Sequence, residues 1–148
     1  MKTSLPILIL APALSSAAWA AELQKADVIV YGGTSGGITA AIQAKRLGHS
    51  VILIEPTKHL GGLTTGGLGA TDIGNKGAIG GMSREFYQRI KKYYQQEAVW
   101  IHSPKPKDNG EDTQWTFEPG AASKVYDAML EEAKVPVVFG ERLNSSSR

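Results

Sequence analysis

The sequence predicts an α/β fold, Rossmann-like, with a parallel sheet, and three observations predict it. An apolar, β-branched run from Val28 to Val30 is too short for a helix and reads as a buried strand. The glycine-rich turn Gly32-Gly33-Thr34-Ser35-Gly36-Gly37 follows it directly. A second apolar run, Val51 to Ile54, ends in an acid, Glu55. Residues 27–55 therefore read as a strand–turn–helix–strand unit of the kind that binds dinucleotides.

Each part of that unit has a physical reason. Gly32 lets the chain turn sharply out of the first strand, and Gly36 and Gly37 let the helix start lie close to the strand and to a bound pyrophosphate. The helix runs through Ile38 to Leu47, with small residues at Ala40, Ala41 and Ala44, and Gly48 suits a left-handed C-cap just beyond it. Unpaired N–H groups at the helix start, with the positive end of its dipole, make an anion site. Glu55 closes the second strand, where a carboxylate can accept from both ribose hydroxyls and repels a 2′-phosphate. The pattern departs from the usual one at Thr34, which stands where a second glycine is common. Thr34 must keep φ negative, and its hydroxyl can donate to a phosphate oxygen.

Ahead of this unit, residues 1–20 read as a signal peptide and residues 21–148 as the mature chain. Lys2 is a minimal positive region, Leu5 to Leu14 a short apolar core broken by Pro6 and Pro12, and Ala18-Trp19-Ala20 a cleavage site. A bilayer takes about 20 apolar residues to span, so no stable membrane anchor is expected here. A buried helix is disfavoured, because the run has two prolines and no polar face. The expectation is a secreted or periplasmic protein cleaved after Ala20. Without an Arg-Arg pair, an export route for folded, cofactor-loaded protein is not indicated.

Beyond Glu55, Pro56 ends the strand, and residues 61–81 carry nine glycines in 21 positions. That density excludes a regular helix or central strand. Leu63, Leu68, Ile73 and Ile79 read as apolar anchors of a loop whose bare backbone can approach a large flat ligand. Helices are predicted over about 83–96, capped by Ser83, and about 119–134, with Pro119 at its first position and Glu118 at its cap. Phe86, Ile90, Tyr93 and Tyr94 share one face and read as core. Residues 135–139 form a further strand, expected to be the third parallel one. The 148-residue chain suffices for one domain with a core. Its net charge of +2, from 16 basic and 14 acidic side chains well interspersed, leaves no footprint for nucleic acid.

With Gly61-Gly62 following the acid-ended unit so closely, the chain resembles the glutathione-reductase-like class of FAD-binding proteins. The run GGTSGGITAAIQAKRLGHSVILIEPTKHLGGLTTGGLGATD, and later WTFEPGAASKVYDAML, is similar to the FAD-dependent oxidoreductase family of exported and environmental bacterial proteins. In that family threonine commonly replaces the middle glycine. The resemblance implies FAD as cofactor, with Gly32, Gly33, Thr34, Ser35 and Gly36 around its pyrophosphate. It places Glu55 on the adenosine ribose, Lys58 near it, and Gly62, Leu63 and Thr64 along the flavin side. Family members are much longer, so the chain reads as the amino-terminal part of a flavoenzyme, its Rossmann-like domain incomplete and a carboxyl-terminal portion missing. The implied activity is hydride transfer from a small organic donor to the flavin; the alternative is a truncated, non-catalytic nucleotide-binding remnant or interaction domain.

No catalytic residue is assigned. His59 precedes the Gly-Gly pair but reads as a solvated turn histidine, His49 as exposed, and His102 as a loop residue with no partner at metal spacing. Glu111-Asp112 and Glu131-Glu132 are adjacent pairs whose side chains diverge, so neither forms an acid/base dyad. The sequence has no cysteine, which excludes thiolate metal sites and a flavin-adjacent redox disulfide in this chain.

Overall fold

The computed structural model describes residues 25–70, 73–95, 100–102, 105–108 and 110–146; the expected signal peptide lies outside them. The elements run β1 (Val28–Tyr31), α1 (Ser35–Arg46), β2 (Val51–Glu55), a 3₁₀ turn (Lys76–Ala78), α2 (Gly81–Tyr94), α3 (Pro119–Ala133) and β3 (Val137–Phe139). The three strands form one parallel sheet in the order β1-β2-β3, with Val28 opposite Val51 and Leu53 opposite Val137. Parallel pairing requires a crossover for each connection; α1 supplies the first, and residues 56–136, ending in α3, the second.

The helices build a core against one face of this sheet. α1 packs on β1 and β2, α3 on α1, and α2 on α3. Ile38, Ile42, Leu53, Ile90 and Met129 are buried at this junction. Phe86 stacks on Tyr126 with centroids 4.6 Å apart and meets Phe117 edge-on at 5.4 Å, joining α2, α3 and the segment before α3. α1 can lie this close to β1 because of Gly37. A Cβ added there would stand 1.9 Å from the Gly32 carbonyl oxygen, so glycine is required. On the opposite face Ile29 and Tyr31 are 54% and 44% exposed, unusual for a parallel sheet, whose two faces are normally both covered.

Several element ends differ from the sequence reading. α2 begins at Gly81 with Gly80 at its cap, and Ser83 sits inside the first turn without capping anything. Residue 96, the expected end, lies outside the described residues. Glu118 occupies the cap position of α3, but its carboxylate makes no capping bond. It accepts instead from the Ile101 and His102 N–H groups and from the Tyr94 hydroxyl, at 3.3, 3.2 and 3.2 Å. β3 starts at Val137 rather than at 135, because the Val135 N–H closes the end of α3 on the Leu130 carbonyl and Pro136 has no N–H to give. Leu63 and Leu68, expected as anchors of the glycine-rich loop, are 76% and 50% exposed. Polar contacts hold that loop in their place.

Candidate functional site

The site is built where β1 ends, α1 starts and the chain after β2 folds back. Thr34 is the N-cap of α1, with φ −69°, and its Oγ1 accepts from the Gly37 N–H at 3.2 Å. Among the described residues no hydrogen bond holds the Gly36 N–H, and a Cβ at Gly36 would meet nothing nearer than Thr34 Oγ1 at 3.9 Å. The first turn of α1 therefore offers an N–H without a partner among the described residues, at the positive end of a helix dipole and on a residue that lines a cleft.

Glu55 is buried, and its carboxylate is already engaged. Oε2 accepts from the Gly33 N–H at 2.7 Å, and Oε1 accepts from the Thr57 N–H and hydroxyl, both at 2.7 Å. The Thr57 hydroxyl, with the Thr57 and Gly33 N–H groups, holds this carboxyl below the usual carboxylate range against the opposing effect of burial. A carboxylate offers about four acceptor sites, and three are used by the chain itself. The reading that Glu55 takes both ribose hydroxyls is thus reduced to one free acceptor site, on Oε2. Its other task is structural: it ties the glycine turn to the end of β2.

The loop after β2 is clamped onto α1. The Gly61 N–H donates to the Gly33 carbonyl at 2.6 Å, and the Ser35 hydroxyl donates to the Gly61 carbonyl at 3.0 Å. Ser35 and Thr64 hydroxyls meet at 2.6 Å. Gly61 and Gly62 have φ of +93° and +56°, a left-handed pair that turns the loop back against Thr34. Thr65, buried, fixes the far side, its hydroxyl donating to the Leu60 carbonyl and lying 2.9 Å from His59 Nε2.

Two clefts flank this clamp. One, of about 210 Å³, lies between Ser35, Gly36 and Thr39 of α1, Thr64, and Tyr87 and Tyr126. The other, of about 180 Å³, is lined by Lys58, His59, Tyr126, Asp127 and Phe139. Neither alone reaches the roughly 300–1,000 Å³ usual for a drug-sized ligand. Tyr126 borders both.

Of the sequence-predicted residues, Gly32, Gly33, Thr34, Ser35, Gly36, Glu55, Gly62 and Thr64 converge here. Lys58 is exposed at the rim of the second cleft, and Leu63 points to solvent apart from the group. Sequence reasoning missed Tyr126, Thr65 and the Gly61 clamp. Tyr126 carried only a helical core signal, and a clamp between distant loops leaves no local pattern. Among the described residues no group of three or more His, Cys, Asp or Glu side chains is placed to hold a metal ion.

A parallel βαβ unit with an open helix start and an acid at the end of its second strand defines a dinucleotide-binding α/β protein. The chain belongs to the FAD dependent oxidoreductase family, whose model matches residues 27–148. FAD is that family's cofactor, and the open Gly36 N–H and the spare Glu55 acceptor site fit a diphosphate-bridged nucleotide. No curated protein matches the chain. Among solved structures, Staphylococcus aureus bacillithiol disulfide reductase is similar at 16% identity and a TM-score of 0.45, over 82% of this chain and 32% of that one. The 3-ketosteroid-delta4-(5alpha)-dehydrogenase of Rhodococcus jostii RHA1 is similar at 19% identity and 0.48, over 86% and 40%. Thermovibrio ammonificans THI4 is similar at 17% identity and 0.45, over 80% and 43%. The chain spans less than half the length of each of these three.

Proposed function

We propose that this chain is the cofactor-binding part of an exported FAD-dependent oxidoreductase that oxidises a small organic donor. One observation carries the reading: the open first turn of α1 stands between a turn tied by Glu55 and a loop clamped by Ser35. In this reading the Gly36 N–H and the Thr34 hydroxyl donate to the diphosphate. Glu55 accepts from one ribose hydroxyl, and Lys58 lies near the adenosine end. Gly62 and Thr64 line the path toward the flavin. When bound, the flavin supplies the redox chemistry, taking a hydride from the donor. In this reading the chain's own residues bind and orient the cofactor.

Export rests on the features of residues 1–20. A carboxyl-terminal portion carrying the substrate site belongs to the same proposal. The exposed Ile29 and Tyr31 support it, because further polypeptide would cover that sheet face.

The test is to incubate the chain with FAD and remove unbound flavin by gel filtration. Flavin absorbance travelling with the protein is expected, and its complete separation from the protein would overturn the reading. Reduction of a redox dye with candidate small donors then tests turnover.

A further inference from the structure

Resting on that reading, we propose that the cleft beyond the ends of β2 and β3 reads the base of the nucleotide, with Asp127 of α3 selecting adenine over a 6-oxopurine. Glu55 and Phe139 are register partners at the carboxyl ends of neighbouring parallel strands, and the Gly140 N–H closes that end on the Glu55 carbonyl at 2.8 Å. Register partners project to the same face of a sheet, and Val137, two residues before Phe139, packs on the core between sheet and helices. Phe139 therefore stands beside Glu55 on the helix side, where it lines the second cleft together with Lys58, His59 and Asp127. In a nucleoside the base and the 2′-hydroxyl sit on adjacent ring carbons. A ribose whose hydroxyl reaches Glu55 thus brings its base to this cleft.

Three side chains of the cleft are uncommitted. Phe139 is 46% exposed and has no aromatic neighbour among the described residues. Lys58 and Asp127 line the same cleft, yet among the described residues neither side chain has a hydrogen bond or an ion pair. His59, by contrast, is fixed as a wall. Its Nε2 must carry a hydrogen, because it faces the Gly62 carbonyl at 3.3 Å and the Thr65 oxygen, whose own hydrogen goes to the Leu60 carbonyl. The uncommitted groups are complementary: a carboxylate only accepts, and an ammonium only donates. The 6-amino edge of adenine presents one donor beside one ring-nitrogen acceptor, which matches Asp127 and Lys58. A 6-oxopurine puts a carbonyl oxygen where adenine has its amino group, so the carboxylate would meet a second acceptor and stay unpaired. Phe139 supplies a face on which the base stacks.

The experiment is calorimetric titration of the chain and its Asp127→Asn and Phe139→Leu variants with FAD, ADP and IDP. Inosine differs from adenosine in its base alone, carrying an oxo group for the 6-amino group, so the diphosphate and ribose contacts cancel in the comparison. The unaltered chain is expected to bind ADP about tenfold more tightly than IDP. In Asp127→Asn the amide can turn to donate to a carbonyl oxygen, so that preference is expected to fall to about twofold or less. A ratio of affinities is also insensitive to the charge removed by the substitution. Phe139→Leu is expected to weaken ADP and IDP alike by about tenfold and to leave their ratio in place. Both side chains are exposed, so the thermal midpoint without ligand should move by only a few degrees. Equal affinity of the unaltered chain for ADP and IDP, or an unchanged preference in Asp127→Asn, would overturn the role of Asp127. Unchanged ADP affinity in Phe139→Leu would overturn the stack. Absence of FAD and ADP binding by the unaltered chain would instead overturn the cofactor reading itself, and the base reading with it.

Discussion

The two ends of α1 are held by different chemistry. At its start the contacts are backbone and hydroxyl hydrogen bonds: Gly33 to Glu55, Gly61 to Gly33, Ser35 to Gly61 and Thr64. At its end Arg46 pairs with Glu85 of α2 at 2.7 Å, and Glu85 also pairs with Arg89, which reaches Glu132 of α3. Arg84 with Asp112 and Lys91 with Asp108 extend the ion pairs along α2. The start of α1 has one carboxylate, kept back at the strand end, and no ion pair among the described residues. The lesson is a division of labour. The helix start proposed to receive an anion is organised by hydrogen bonds with a single carboxylate set back at the strand end, whereas the faces between helices are joined by ion pairs that salt can screen.

The sharpest way to break the first region is Gly37→Ala. Its Cβ would collide with the Gly32 carbonyl, and a loss of about 3 kcal/mol or more is expected in denaturant unfolding. A loss below about 1 kcal/mol would show that α1 does not depend on that close approach. Glu55→Gln comes next. It weakens the acceptor of three bonds, and about 2 kcal/mol of stability should go, together with FAD affinity. The folded carboxyl is lowered, so its contribution is present above the usual carboxylate range and is lost as pH falls through the lower folded value. The variant should therefore show a flatter acid limb of stability against pH.

Glu85→Gln tests the other region. Arg46, with Arg89, lowers the Glu85 carboxyl to about 2 against the opposing effect of burial, so its stabilisation is full above its ordinary value near 4.5 and is lost as pH falls toward 2. Partial exposure discounts the effect to about 1 kcal/mol at neutral pH, and about 1 M salt should remove most of the difference. FAD affinity should not follow, which separates the two regions. The smallest effect is expected for Leu63→Ser, within about 0.5 kcal/mol, because that side chain stands in solvent.

Much of the layout was legible in the chain. The βαβ unit announces itself through short β-branched runs, a glycine turn and a strand-ending acid, all close in sequence. The parallel third strand followed from the apolar run at Val135 to Phe139, although proline and the helix end trimmed its start. Local chemistry also marks Thr34, whose cap role could have been read from its place before a helix. The rest depends on contacts between distant segments. Ser35 on Gly61, Tyr126 and Thr64 lining one cleft, and Glu118 on the Ile101 and His102 N–H groups bring together residues whose spacing carries no period. Leu63 misled because an apolar residue in a glycine-rich loop reads as an anchor, yet here the polar Thr65 is buried.

Gly36→Asp tests the central claim, that the start of α1 receives the cofactor diphosphate, most directly. The added side chain meets open space, and a carboxylate in the first helical turn interacts favourably with the dipole, so stability should hold or rise by about 0.5 kcal/mol. Calorimetric titration with FAD should show binding to the unaltered chain and a loss of about a hundredfold or more in this variant, because the new charge occupies the anion site. Equal affinity in the two proteins, with both folded, would contradict it.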